Sequence, residues 1–164
     1  MTDASRKPLH LMPLLLAGLA LVAFNASNGA AENAATSART TKEIVMYKSP
    51  GCECCTGWAE HMRKAGFTVT ENKRDDMDAI KSKYGVTDKL ASCHTAIIDG
   101  YVIEGHVPAA DVERLLNERP QVVGLTAPGM PQQSPGMQDK ANHPKGYDVL
   151  AFDKEAKSHV FTRY

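Results

Sequence analysis

EIVMYKSPGCECCTGWAEHMRKAG, residues 43–66, is the stretch that decides the fold. Residues 44–47 are apolar and include two β-branched residues, which is typical of a strand, and a Ser-Pro-Gly turn follows at residues 49–51. From Cys55 onward, apolar side chains recur with the period of a helix, which Gly66 ends. Three cysteines therefore lie between a strand and the beginning of a helix. The predicted inner face of this helix contains Trp58, Met62 and Ala65.

Five further elements are predicted between residues 67 and 119. Apolar runs indicate the strands, and capping and stop residues indicate the ends of the helices. Asp99-Gly100, between two apolar runs, is a strong hairpin signal. The elements are a strand at 67–70, a helix that begins after Asp75 or Asp76 and ends at Gly85, strands at 95–98 and 101–103, and a helix between Pro108 and Pro120.

This order, β-α-β-α-β-β-α, predicts an α/β domain of thioredoxin-like arrangement over residues 43–119. In such a domain, the loop after the first strand and the loop before the third strand meet in space. By this fold analogy, Cys93 and His94 approach the three clustered cysteines although they are about 40 residues away.

The C-terminal part is expected to add a loop and a hairpin to this domain. Residues 124–136, GLTAPGMPQQSPG, are so rich in Gly and Pro that they are predicted to form a loop. Apolar runs at 147–152 and 159–162, on either side of a charged segment, predict a closing hairpin.

The N-terminus has the organisation of a secretory signal. Arg6 and Lys7 precede an apolar run over residues 11–24, and small residues ending at 29–31 follow it. A membrane anchor is the alternative, but Pro13 interrupts the run. The run is also shorter than the roughly 20 apolar residues that a spanning helix needs. We therefore predict cleavage and export.

Three segments follow from this interpretation. They are a signal peptide over residues 1–31, a flexible leader over 32–42 and a folded domain over 43–164, with no membrane span after cleavage. Lys and Arg together number 19, and Asp and Glu together number 19. This balance gives no indication of nucleic acid or an anionic membrane as a partner.

The four cysteines allow three interpretations. In an oxidising compartment they would normally pair, but adjacent Cys54 and Cys55 cannot easily bond each other. The feasible disulfides are Cys52 with Cys55, or Cys93 with one of the three clustered cysteines. A helix N-terminus stabilises thiolates, which serve both disulfide exchange and the binding of soft metals. Structural disulfides, thiol–disulfide exchange and a metal site all remain open at this point.

The density of sulfur favours a metal site for Cu(I). Structural zinc usually takes four tetrahedral ligands from two separated pairs, whereas soft thiolates also select Cu(I), which accepts two or three ligands and tolerates bridging sulfur. If each of four sulfurs bridges two metals, about eight metal–sulfur bonds can hold around four Cu(I) ions. Exchange is less favoured because Cys54 could trap a mixed disulfide. The segment before the third strand also lacks the proline with which thioredoxins dock substrates.

Three motifs, in order along the chain, resemble one family. They are MYKSPGCECCTGWAEHMRKAGF, SCHTAIIDGYVIEGHVP and GLTAPGMPQQSPGM. Over residues 43–152 the chain is similar to the small exported copper-resistance proteins called CopG. The resemblance implies a periplasmic, thioredoxin-like protein that binds several copper ions through its cysteines. It also implies work beside copper efflux systems and a role in cycling copper between Cu(I) and Cu(II).

The resulting prediction is a periplasmic copper-binding protein of copper resistance that holds a multinuclear Cu(I)–thiolate cluster and hands copper to efflux. The alternative is a thiol–disulfide oxidoreductase in which Cys52 attacks and Cys55 resolves. Histidines in strands are commonly just hydrogen-bonded, and loop methionines commonly fill apolar gaps, so each accessory ligand has a structural alternative. The predicted ligands are Cys52, Cys54, Cys55 and Cys93, with His94, His106, Met130 and Met137 as accessory candidates.

Overall fold

A single mixed sheet organises the part of the chain that the computed structural model describes, residues 42–137 and 143–164. Seven strands and three helices lie within these residues. The strands are β1 (Glu43–Lys48), β2 (Thr68–Lys73), β3 (His94–Ile98), β4 (Tyr101–Gly105), β5 (Gly124–Ala127), β6 (Asp148–Phe152) and β7 (Ser158–Arg163). The helices are α1 (Glu53–Lys64), α2 (Met77–Lys83) and α3 (Ala109–Glu118).

The strand order is β2-β1-β3-β4-β5-β6-β7. β1 pairs with β2 in parallel, and β3 lies antiparallel to both β1 and β4. The predicted α/β class and the element order over residues 43–119 are therefore confirmed. β1 and β3 are neighbours, and β1 leads into the cysteine segment while β3 begins just after Cys93. This adjacency brings the two loops to the same place.

The main core lies between the sheet and the helices α1 and α3. α1 buries Trp58 and Met62 in it, as its apolar period predicts, and the indole N–H of Trp58 donates to the Val107 carbonyl at 2.8 Å. Gly66, with φ of +89°, follows the end of α1. A smaller apolar cluster contains Val102 and Phe152. Because side chains alternate along a strand, Val102 and its neighbour Ile103 of the main core lie on opposite faces of the sheet.

The prediction of a loop over residues 124–136 is wrong for its first four residues, which form β5. This strand is fully buried and lies between β4, to which it is parallel, and β6, to which it is antiparallel. A Cβ on Gly124 would lie 1.8 Å from the Val102 carbonyl oxygen, so this glycine permits a close approach of two strands and does not mark a turn. The predicted hairpin is confirmed as β6 and β7, and β5 joins it to the rest of the sheet.

The predicted signal peptide and nearly all of the predicted leader, residues 1–41, lie outside the described residues, as do residues 138–142. Within the described ranges, none of the helices combines the length and apolarity that crossing a membrane requires.

Candidate metal centre

The sulfur atoms of all four cysteines lie close together at the beginning of α1. Cys52 is the residue that precedes the first turn of this helix, and Cys54 and Cys55 lie within that turn. The Sγ atoms of Cys52 and Cys54 are 3.5 Å apart, and those of Cys54 and Cys93 are 3.9 Å apart. The four sulfurs all lie within 4.8 Å of one another. The approach of Cys93 that fold analogy predicted is therefore observed.

A disulfide joins Cys52 and Cys55, whose Cα atoms are 5.4 Å apart, while Cys54 and Cys93 are free thiols. This is one of the pairings that geometry left feasible at the sequence level. It also means that two of the four predicted thiolate ligands are oxidised in this structure. Reduction of the Cys52–Cys55 bond would make all four sulfurs available to a metal.

His106 contacts the Cys93 thiol directly, with Nε2 at 2.7 Å from Sγ. Its other nitrogen, Nδ1, lies 2.7 Å from the Pro135 carbonyl, which can only accept a hydrogen bond. The proton of the neutral ring is therefore on Nδ1, and Nε2 offers a lone pair toward Cys93. This is the usual arrangement of a metal-binding histidine, in which the outer nitrogen is fixed by a backbone carbonyl. Burial lowers the pKa of His106 and so favours the neutral ring.

His94 is fully buried beside the same site. Its ring centroid is 4.4 Å from that of Trp58 and 5.2 Å from that of His106. Neither ring nitrogen has a hydrogen-bond partner among the described residues, which is unusual for a buried polar group. Burial first, and then the charge of neighbouring cations, lowers the pKa of His94 well below its ordinary value. Cys93, His94 and His106 form a second group that can offer ligand atoms within 4.8 Å of one another.

The Cys93 thiol is strongly held in its protonated form. Burial, followed by the proximity of Cys54, raises its pKa to about 12. A bound cation acts in the opposite direction, because a metal displaces the proton of a coordinating thiol. Cys93 therefore has little thiolate character unless a cation is bound to it.

Residues 128–137 form a loop that packs against the cysteine segment, and we call it the covering loop. A Cβ on Gly136 would lie 2.6 Å from both the Cys54 carbonyl oxygen and the Trp58 nitrogen, so the backbone of this loop touches that of α1 directly. At its other end, the Ser92 hydroxyl donates to the Gly129 carbonyl. Met130, 57% exposed, and half-buried Met137 lie on this loop. Met130 follows Gly129, which accepts from Ser92, and Met137 follows Gly136, which contacts α1, so each methionine comes directly after a residue that contacts the cysteine segments.

Lys48 of β1 contacts the cysteine segment, and this role was not predicted from the sequence. Its buried ammonium donates to the Cys52 carbonyl at 3.0 Å and to the Thr56 hydroxyl, and it pairs with Glu71 at 3.2 Å. Lys48 follows Ile44 and Met46 at alternate positions of β1, and all three are buried. The alternation of β1 therefore predicts a buried side chain at position 48, but a lysine is rarely buried, so its charge argues against that prediction.

The other histidines of the described residues are His61, His143 and His159. His143 and His159 are exposed. The apolar period of α1 predicts its inner face at Trp58, Met62 and Ala65 and so leaves His61 on the exposed side, but His61 is half-buried, and its Nε2 accepts the Ala109 N–H at 3.0 Å. The reason is that α3 begins beside α1, where its first N–H groups need an acceptor. Glu53, between Cys52 and Cys54, is exposed.

An α/β domain that gathers four cysteines and two histidines at one helix N-terminus belongs to the class of small proteins with a sulfur-rich metal site. Two solved structures, both described as copper resistance protein CopG, are similar to it. The first, Form 1, is 39% identical with a TM-score of 0.69, and the match covers 76% of this chain and 98% of that one. The second, Form 2, is 40% identical with a TM-score of 0.69, and the match covers 74% and 97%.

The chain belongs to the CopG family of copper resistance proteins. Residues 90–137, which contain Cys93, His106 and the covering loop, also match a family described as "Protein of unknown function, DUF411". No match is found among the curated proteins. The family that the three sequence motifs suggested is thus confirmed.

Proposed function

We propose that this protein is exported to the periplasm and binds copper there as part of copper resistance. Cys52, Cys54, Cys55 and Cys93 would hold several Cu(I) ions through shared sulfur atoms. The observation that carries this proposal is the position of Cys93, whose sulfur lies 3.9 Å from that of Cys54 although 39 residues separate them. A structural thiol has no need of three other sulfurs within 4.8 Å.

The donor atoms fit a soft metal. Four sulfurs and the free Nε2 of His106 converge, and the only carboxylate between the clustered cysteines, Glu53, is exposed to solvent. Thiolate and imidazole are the ligands that copper prefers, and carboxylates suit harder cations. The buried His94, whose nitrogens have no partner among the described residues, supplies a further donor beside Cys93. The residues present therefore fit copper.

The disulfide adds a condition to this proposal. Because Cys52 and Cys55 are bonded to each other, the full set of four thiolates requires their reduction first. The oxidised protein retains only Cys54, Cys93 and the histidines. We expect the reduced protein to bind more copper per chain than the oxidised protein.

Delivery of copper to an efflux system and cycling between Cu(I) and Cu(II) are parts of the same proposal, and their support is the family resemblance. Met130 and Met137 would serve as weak thioether ligands on the covering loop. The exposed Met130 is the accessory candidate best placed to meet a partner protein.

Copper titration of the anaerobically reduced protein tests the proposal. We expect more than one Cu(I) per chain, lost on thiol alkylation and lowered in Cys93→Ser. His106→Ala should also lower the copper content, whereas His159→Ala, which alters an exposed histidine of β7, is the matched control. A Cys93→Ser variant with unchanged copper content would remove Cys93 from the site, and one Cu(I) or fewer in the unaltered protein would refute the multinuclear proposal.

Thiol–disulfide exchange is the second candidate function, favoured by the observed Cys52–Cys55 disulfide. Cys52 is half-exposed and Cys55 is fully buried, which matches an attacking and a resolving cysteine. In this reaction the Cys52 thiolate attacks a partner disulfide and releases one partner thiol. Cys55 then displaces the second partner thiol and closes the Cys52–Cys55 bond. Disulfide reductase activity that is indifferent to copper chelators and lost in Cys52→Ser would favour this function over copper binding.

A further inference from the structure

Glu104 is a fully buried carboxylate close to the cysteines, and neither proposed function uses it. It lies in β4 and is paired in register with Thr95 of β3. Acidic side chains are almost never fully buried unless they are paired. The partners of Glu104 therefore indicate what its carboxylate does.

Three donors surround this carboxylate. The Ser92 N–H and the Thr95 hydroxyl each donate to it at 2.7 Å, and the Lys81 ammonium of α2 donates as well. Two of these donors come from residues on either side of Cys93, one position before it and two positions after it. Burial raises the pKa of Glu104, and the Lys81 ammonium opposes that shift. The network thus holds the backbone before Cys93, at Ser92, and a side chain after it, at Thr95.

The two residues that follow Glu104 contact the same segment. Gly105 has a φ of +72°, and a Cβ on it would lie 2.2 Å from the Ser92 hydroxyl oxygen, so this position leaves room for no side chain. His106 contacts the Cys93 thiol itself. The last two residues of β4 and the residue after it therefore all contact the Cys93 segment. Glu104 accepts from the Ser92 N–H, Gly105 packs against the Ser92 side chain, and His106 contacts the Cys93 sulfur.

We propose that Glu104 is a positioning residue that orients the Cys93 thiol toward Cys54 by holding the Ser92 N–H and the Thr95 hydroxyl. The role deepens the proposed copper-binding function and rests on it for its biological meaning. Hydrogen bonds to a charged acceptor are stronger than neutral ones, so the Cys93 segment cannot turn away from Cys54 without losing two of them. Groups that orient metal ligands in this way typically alter metal affinity about 10-fold to 100-fold when they are changed.

The test measures the proximity of the two thiols without copper. In a Cys52→Ser/Cys55→Ser background only Cys54 and Cys93 remain, and their equilibrium with glutathione is followed by mass spectrometry. One oxidised glutathione is consumed and two reduced glutathiones are released for each Cys54–Cys93 disulfide formed. We expect Glu104→Gln to lower this equilibrium constant about 10-fold, because the two sulfurs no longer face each other in the thiol form.

A second variant separates positioning from folding. Glu104→Gln leaves the half-buried Lys81 ammonium without its partner, whereas Lys81→Met/Glu104→Gln removes both charges and should recover stability. The double variant should keep the low thiol-pair equilibrium constant although it unfolds at the same urea concentration as the parent. Glu113→Gln, which alters a half-exposed carboxylate paired with Lys42, is the matched control and should behave as the parent.

The outcomes distinguish this inference from the copper proposal. A parent-like equilibrium constant in the double variant would overturn the positioning role whether or not the protein binds copper. Failure of the unaltered protein to bind copper would refute the proposed function and leave the thiol-pair result standing. If both ideas hold, Glu104→Gln and the double variant should each bind Cu(I) about 10-fold or more weakly in a chelator competition.

Discussion

Gly136→Ala tests whether the covering loop depends on direct contact between two backbones. Gly136 has a φ of +88°, and a Cβ there would lie 2.6 Å from the Cys54 carbonyl oxygen and 2.6 Å from the Trp58 nitrogen. Both neighbours are backbone atoms of α1, so neither can move aside as a flexible side chain would. The added methyl group must displace the loop.

Three costs combine in this variant. An alanine in the left-handed region costs about 1–2 kcal/mol, and forcing a methyl group into an occupied space costs about 1–3 kcal/mol. Displacing the loop also removes the hydrogen bond between His106 and the Pro135 carbonyl, worth about 1 kcal/mol. We expect the free energy of unfolding to fall by about 4 kcal/mol, a large fraction of the 5–15 kcal/mol typical of a domain.

Urea unfolding of the reduced, metal-free protein measures this loss, with Gly129→Ala as the matched control. Gly129 lies in the same loop with a φ of +71°, but a Cβ there would meet nothing within 4 Å. The control should therefore lose only the conformational cost of about 1–2 kcal/mol. Equal losses in the two variants would refute the close-approach argument, and so would a Gly136→Ala protein as stable as the parent.

Three further predictions concern single side chains. Trp58→Phe should lower the free energy of unfolding by about 1–3 kcal/mol in urea, because the buried Val107 carbonyl loses its donor; an unchanged midpoint would contradict this. Burial lowers the pKa of His61 in the folded protein. The contribution of His61 to the free energy of unfolding is therefore present above roughly pH 6.5, and it is lost as the pH falls through the lower pKa of the folded state. His61→Gln, which keeps an acceptor for Ala109, should flatten the loss of stability between neutral and acidic pH, and an unaltered pH profile would count against the contact. Burial raises the pKa of Cys93 to about 12. Because only the thiolate reacts, iodoacetamide should label Cys93 at pH 8 on the order of 1000-fold more slowly than an ordinary thiol with a pKa near 8.5. Labelling at the ordinary rate would contradict the burial argument.

Local patterns were sufficient to predict the elements around the site. The strand–turn–helix pattern of residues 43–66 placed Cys52 and its neighbours at a helix N-terminus. Asp99-Gly100 predicted the β3–β4 hairpin, and both of these residues have positive φ, as such a turn requires. Each of these signals acts over a few residues. The position of Cys93 beside Cys54 required knowledge of how the elements assemble, and the fold analogy provided it.

Interactions between segments distant in sequence account for what was missed. Gly124 was predicted to lie in a loop. Composition alone does not distinguish a glycine that makes a turn from one that lets two strands approach closely, as Gly124 does. The burial of Lys48 and Glu104 could not be predicted from their own segments, because their charge partners, Glu71 and Lys81, lie on other elements. The Cys52–Cys55 bond was one of several feasible pairings, and geometry in three dimensions was needed to choose it.

Cys54, Cys93 and the covering loop come from three widely separated parts of the chain, and they lie together in the fold, with the loop against the backbone of Cys54 and the side chain of Ser92. Anything bound across them acts as a reversible cross-link, closing a 39-residue loop between Cys54 and Cys93 alone. A ligand held only by the folded chain stabilises that chain by mass action. Loading the site should therefore slow global unfolding and protect against proteolysis. The protein would then resist unfolding and proteolysis longest when the site is occupied, and its turnover would follow the supply of ligand.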